Sequence, residues 1–132
     1  RIDWNSYDAE GAAEVVAHTY HAIEDGWYFR LPETWRDQLM VTRSVIPDEA
    51  YVTFYAWTQE GVQPFLRISA ITGNSRNIKA ARGGRFTLSR QAETTYTAEL
   101  LEANGAWEHG ITEDEVREAF SLIAREWTYG DN

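Results

Sequence analysis

The stretch Asp25-Gly26-Trp27-Tyr28-Phe29-Arg30-Leu31-Pro32-Glu33-Thr34-Trp35 sets the reading of the whole chain. Trp27, Phe29 and Leu31 alternate with Tyr28 and Arg30, and a period of two puts the three apolar residues on one face of a strand. Just before it, residues 13–22 (AEVVAHTYHA) carry Val15, Val16, Thr19 and Tyr20, which favour a second strand. Asp25-Gly26 between two such runs predicts a hairpin closed by a type I′ turn, which requires positive φ at both central residues. Pro32 ends the strand, because it has no N–H for a ladder and holds Leu31 extended. It also sits where proline is tolerated at the start of a single helical turn over residues 32–35. Trp35 then folds back beside Phe29 or Leu31 as an anchor of the core.

Three further strands follow at residues 39–46, 50–57 and 64–72. In the last, Leu66, Ile68 and Ala70 fall on one face, and Phe65, Arg67, Ser69 and Ile71 on the other. Gln59-Glu60-Gly61 supplies a turn between the last two strands. A short helix is expected near residues 74–82, capped by Asn74 or Ser75 and stopped by Gly83-Gly84. Two more strands, residues 85–90 and 94–101, flank a turn at residues 91–93. Thr112-Glu113-Asp114-Glu115 has the form of a capping box, and its three acids suit the N-terminal end of a helix dipole. Val116, Ala119, Phe120, Ile123 and Trp127 continue at helical spacing and predict an amphipathic helix of about four turns lying on the sheet.

The chain has 132 residues, no cysteine and a formal charge of −9. This length suits one domain over residues 13–132, preceded by a lead-in or linker at residues 1–12 without periodicity. Arg1 in place of an initiating Met is what a processed chain or a segment of a longer protein would show. No apolar run approaches the roughly 20 residues of a membrane-spanning helix. Without cysteine there are no disulfides, thiolate metal sites or thiol nucleophiles. The acidic balance repels phosphate backbones and argues against nucleic acid as a partner.

The opening Gly26-Trp27-Tyr28-Phe29-Arg30-Leu31-Pro32-Glu33-Thr34-Trp35, the β-rich middle and the amphipathic C-terminal segment together resemble the PsbP-like group of domains. Members of that group carry a glycine, alternating aromatics, then proline, two residues and tryptophan. The chain looks closest to uncharacterised cell-surface lipoprotein domains of Gram-positive bacteria. The resemblance covers roughly residues 13–132, and its sharp part is the ten-residue opening. It implies an α+β fold: an α/β/α sandwich around a twisted, mainly antiparallel sheet of about six or seven strands. It also implies a non-catalytic docking or accessory role outside a Gram-positive cell. Carried over residue by residue, Gly26, Trp27, Phe29, Leu31, Pro32 and Trp35 are core and turn positions. A surface lipoprotein has a lipidated N-terminal cysteine, and here this chain departs from the pattern.

The chemistry-bearing residues point the same way. His18 and His21 would point to opposite sides of a strand and so make a poor metal pair, and His109 stands apart. There is no HExxH, EF-hand loop, Walker A motif or G-x-S-x-G elbow. Carboxylate pairs such as Asp48-Glu49 are expected by chance among 21 acids. The expectation is therefore a non-enzymatic domain without metal or cofactor.

Two surfaces stand out as binding candidates. Residues 61–92 hold Arg67, Arg76, Lys79, Arg82, Arg85 and Arg90 and no acid, so all 21 acids lie elsewhere. Arg76, Lys79, Arg82 and Arg85 are the candidates for a basic patch that would attract an acidic protein or an anionic wall polymer. The alternative use of such arginines is to neutralise acidic neighbours within the fold. Tyr51, Tyr55 and Trp57 share a strand face and are candidates for stacking on sugar rings or on a protein, unless the C-terminal helix covers them. Three functions result: an interaction or accessory domain, a carbohydrate-binding module, or a small hydrolase or immunity-type protein.

Overall fold

A computed structural model describes residues 15–16, 19–35 and 38–123. The strands are β1 (Val15–Val16), β2 (Thr19–Ala22), β3 (Trp27–Arg30), β4 (Leu39–Ile46), β5 (Glu49–Thr58), β6 (Gly61–Ile71), β7 (Arg85–Arg90), β8 (Thr95–Leu100) and β9 (Phe120–Leu122). The helices are α1 (Arg76–Ala80), α2 (Glu102–Ala106) and α3 (Glu113–Ala119), with 3₁₀ turns at Ile23–Asp25 and Glu33–Trp35. The strands form two antiparallel sheets. The smaller has the order β1–β2–β3–β9, of which β1 is only two residues long, and the larger has the order β4–β5–β6–β8–β7.

The core lies between the sheets. Tyr20, Ala22, Trp27 and Phe29 of the smaller sheet alternate inward, as the period of the opening stretch requires. They meet Leu39, Val41, Val52, Phe54, Leu66, Ile68 and Ala98 of the larger sheet in one buried cluster. Tyr20 and Phe29 each place their ring 5.7–5.8 Å from Phe54. Polar bonds also join the layers. Arg43 on β4 donates to both carboxylate oxygens of Asp25, at 3.0 and 2.8 Å, and Tyr96 donates to the Asp25 carbonyl at 3.1 Å. The bond to Asp25 raises the Arg43 pKa above its ordinary value, against a partial burial that lowers it.

The expected α/β/α sandwich with one large sheet and a long C-terminal helix is not the fold. The chain is mainly β, with two facing sheets. Both halves of the capping box form: Thr112 accepts from the Glu115 N–H, and Glu115 accepts from the Thr112 N–H. The helix it opens ends at Ala119. Phe120, Ser121 and Leu122 then extend and pair with Phe29, Tyr28 and Trp27. The side of β3 away from β2 has backbone groups that need partners, and a short strand supplies them while still turning Phe120 and Leu122 toward the core. Trp127, the last member of the helical stripe, lies outside the described residues, as do His18 and residues 1–12.

Smaller expectations also change. The β2–β3 hairpin exists, but four residues connect it. A 3₁₀ turn leads to Gly26 in the left-handed region at φ 86°, and Asp25 does not share that conformation. The run at residues 13–22 doubles back, with Val15 paired to Tyr20 and Val16 to Thr19. Phe65 does not face away from Leu66. The β5–β6 ladder slips between Phe54 and Tyr55, where Leu66 and then Pro64 are the partners. Pro64 cannot donate to the ladder, and a bulge at that point lets Phe65 and Leu66 both enter the core. The short helix forms as α1, but no side chain caps it, and α2 carried no sequence expectation. Among the described residues no helix is long and apolar enough to cross a membrane.

Candidate functional site

At one end of the molecule the β5–β6 hairpin and α2 flank a cleft of about 920 Å³. Its inner wall includes Trp107, which packs into the aromatic cluster that Trp35 anchors. Trp35 is fully buried and stacks near Phe29 at 6.1 Å, as the sequence implied. It also meets Phe65 edge-on at 5.0 Å and Trp107 at 6.1 Å, while its indole N–H donates to the His109 carbonyl at 2.8 Å. Phe65 and Trp107 lie 4.9 Å apart. Such ring contacts add to the burial energy and fix the shape of the wall.

The loop after α2 is held by Asn104. Its side chain donates to the Ile111 carbonyl at 2.8 Å and accepts from the Ile111 N–H at 2.7 Å. Gly110 passes so close that a Cβ there would overlap the Asn104 carbonyl, so only glycine fits. The Leu101 N–H donates to the carbonyl of the bulged Phe65, which docks the start of α2 on β6.

The opposite lip is the hairpin turn. Thr58 Oγ1 donates to the Gly61 carbonyl at 2.8 Å and accepts from the Glu60 N–H at 3.1 Å, so the turn is closed by its own side chain. Gly61 follows at φ 103°, a conformation that disfavours any residue with a Cβ. Trp57 stands on this lip with 45% of its surface exposed. Its backbone N–H donates to the Gln38 carbonyl, and the Gln38 N–H donates to the Trp35 carbonyl. The exposed and the buried tryptophan are thus linked through one residue. Gln38, Gln59 and Gln63 bring amides to the cleft, Glu60, Glu102 and Glu108 bring carboxylates, and among the described residues its lining contains no Lys or Arg.

The other two aromatic candidates do not join Trp57 in an open platform. Tyr51 and Tyr55 are half-buried, and the Arg67 guanidinium lies 4.8 Å over the Tyr51 ring while donating to Thr53 at 3.1 Å. Of the C-terminal segment expected to cover this face, the described part, Phe120–Leu122, forms β9 in the other sheet. The basic candidates divide as well. Arg85 pairs with Glu49 at 2.9 Å, with the two side chains only 20% and 7% exposed. Arg76 donates to the carbonyls of Gly73 and Ala92 at 2.9 and 2.8 Å. These two arginines hold α1 and its flanking turns in place. Lys79 is half-buried and Arg82 is exposed.

A second cleft of about 450 Å³ is lined by Arg30, Thr34, Glu108, His109 and Glu115 among others. Its polar groups already serve the fold. Arg30 donates to the Glu118 carbonyl at 2.7 Å, Glu115 completes the capping box, and His109 lies 3.1 Å from Glu108. Among the described residues no group of three or more His, Asp or Glu side chains is arranged to hold a metal ion.

Fold and site together define a mainly β, two-sheet protein with an open cleft at one end. Compared with known protein families, curated proteins and solved structures, the chain matches none. The cleft residues other than Trp57 were not singled out by sequence. Gln38 and Glu102 are far from the hairpin in the chain, and only the turn signal at Gln59-Glu60-Gly61 pointed to this place.

Proposed function

We propose that this protein is a non-enzymatic binding domain that presents the cleft between the β5–β6 hairpin and α2 to its ligand. The observation that carries this reading is Trp57: a large aromatic surface, 45% exposed, held beside a self-closed turn in the cleft that Trp107 also lines. Exposed aromatic surface on a pre-formed frame is what a binding site uses to gain contact area with little loss of side-chain freedom. The non-catalytic part is supported by the way Arg30, Glu115 and His109 are engaged in the second cleft. A setting outside a Gram-positive cell, as an accessory part of a surface protein, belongs to the same proposal and rests on the Gly26–Trp35 signature.

The test is a panel of small soluble fragments titrated into ¹⁵N-labelled protein, with the Trp57 indole N–H as reporter. Hits should cluster on Trp57, the hairpin turn and α2. Hits that all map elsewhere, or turnover of any compound in a hydrolase panel, would overturn the reading.

A further inference from the structure

We infer that the ligand of the Trp57 cleft is an uncharged saccharide chain, stacked on the Trp57 indole and hydrogen-bonded by the side chains around it. This deepens the binding-domain reading and rests on it. An indole face is flat, apolar and electron-rich, and the C–H face of a pyranose ring is flat, apolar and weakly positive. Each covers the other and removes both from water. The orienting groups must then match hydroxyls, which both donate and accept. Gln59 is exposed, with its amide unpaired among the described residues, so it offers donors and an acceptor. Gln63 and Gln38 spend their amide nitrogens on the Glu60 and Thr34 carbonyls, which leaves their carbonyl oxygens turned to acceptor use. Glu60 and Glu102 add exposed acceptor-only groups.

The charge of the lining selects further. Among the described residues it contains three carboxylates and no cation, a balance that repels uronic acids, phosphates and sulfates. A peptide strand has less to gain. β8 pairs with β6 only along Leu66–Ile71, and the edge of β6 that reaches the cleft is short, is docked to Leu101 at Phe65 and carries Pro64, which has no N–H to give a peptide backbone.

The experiment titrates the ¹⁵N-labelled protein with cellohexaose, chitohexaose and laminarihexaose, with an oligogalacturonate and a lysine-rich peptide as the contrasting probes. At least one neutral oligosaccharide should move the Trp57 indole resonance and the backbone resonances of Gln59 and Gln63. Trp57→Ala should weaken that binding about tenfold or more, Trp57→Phe should restore part of it, and Gln59→Ala should weaken it by a smaller factor. Failure of all three neutral oligosaccharides, tighter binding of the uronate or the peptide, or indifference to Trp57→Ala overturns the inference. If fragments or the peptide bind in the cleft while sugars do not, the ligand class falls and the binding-domain reading stands. If an oligosaccharide binds and is cleaved, the ligand class stands and the non-enzymatic reading falls.

Discussion

Trp35 and Trp57 stand on either side of Gln38, joined through its backbone, yet they do opposite things. Trp35 is sealed among Phe29, Phe54, Phe65 and Trp107 and spends its indole N–H on the His109 carbonyl. Trp57 keeps nearly half its surface in water. The same contrast separates Arg85, locked to the buried Glu49, from Arg82, which is exposed. In both pairs the residue type is constant and the surroundings decide between architecture and surface. The lesson is that composition counts, whether of tryptophans or of arginines, overstate the free binding surface. Here half of each pair is consumed by the fold.

The largest effect should come from Trp35→Ala. It removes a fully buried indole and leaves the His109 carbonyl without its donor, so chemical denaturation should register a loss of about 3–5 kcal/mol. Trp57→Ala should change stability by no more than about 0.5 kcal/mol, and equal losses for the two would erase the contrast. The arginine pair comes next. Arg85→Ala strands the buried Glu49 carboxylate beside an arginine site that is itself 20% exposed, for an expected loss of about 2–3 kcal/mol, whereas Arg82→Ala should lie within about 0.5 kcal/mol of the parent. A cost for Arg82→Ala comparable to that of Arg85→Ala would show that the stretch acts as one charged unit. A smaller loss of about 1 kcal/mol is expected for Thr112→Ala, read as a lower melting temperature, because both capping-box bonds go at once. The smallest expected change is a gain. Thr97 is 1% exposed and its hydroxyl has no hydrogen-bond partner among the described residues, so Thr97→Val should stabilise the protein by roughly 0.5 kcal/mol. A loss on this substitution would mean that the hydroxyl is satisfied in solution.

Much of the local structure was legible. The alternation of Trp27, Phe29 and Leu31 marks the buried face of β3, the capping box marks the start of α3, and the limits of β4 and β7 coincide with the sequence reading. The errors share one cause. Val116, Ala119 and Phe120 fit a helical stripe, and Phe120-Ser121-Leu122 equally fits a short strand. Periodicity cannot choose between them, because the choice depends on whether β3 has a free side nearby. Phe65 followed strict alternation until Pro64 shifted the ladder, an event set by the pairing of two strands. Of the site, Trp57 was visible as an aromatic on a strand, while Gln38, Gln63 and Glu102 carry no pattern that would draw them together.

By itself, then, the sequence determined most strands between residues 27 and 100, where the buried aromatic face begins and where a helix starts, since those depend on neighbours within a turn or two of chain. The tertiary structure alone decided that the strands divide into two facing sheets and that α3 stops at Ala119. It alone also decided that Arg85 is bound while Arg82 is exposed, and that Trp57 faces a cleft. These outcomes are contests among distant groups for hydrogen bonds, charge partners and burial, and such contests are settled only when the chain has brought the competitors together.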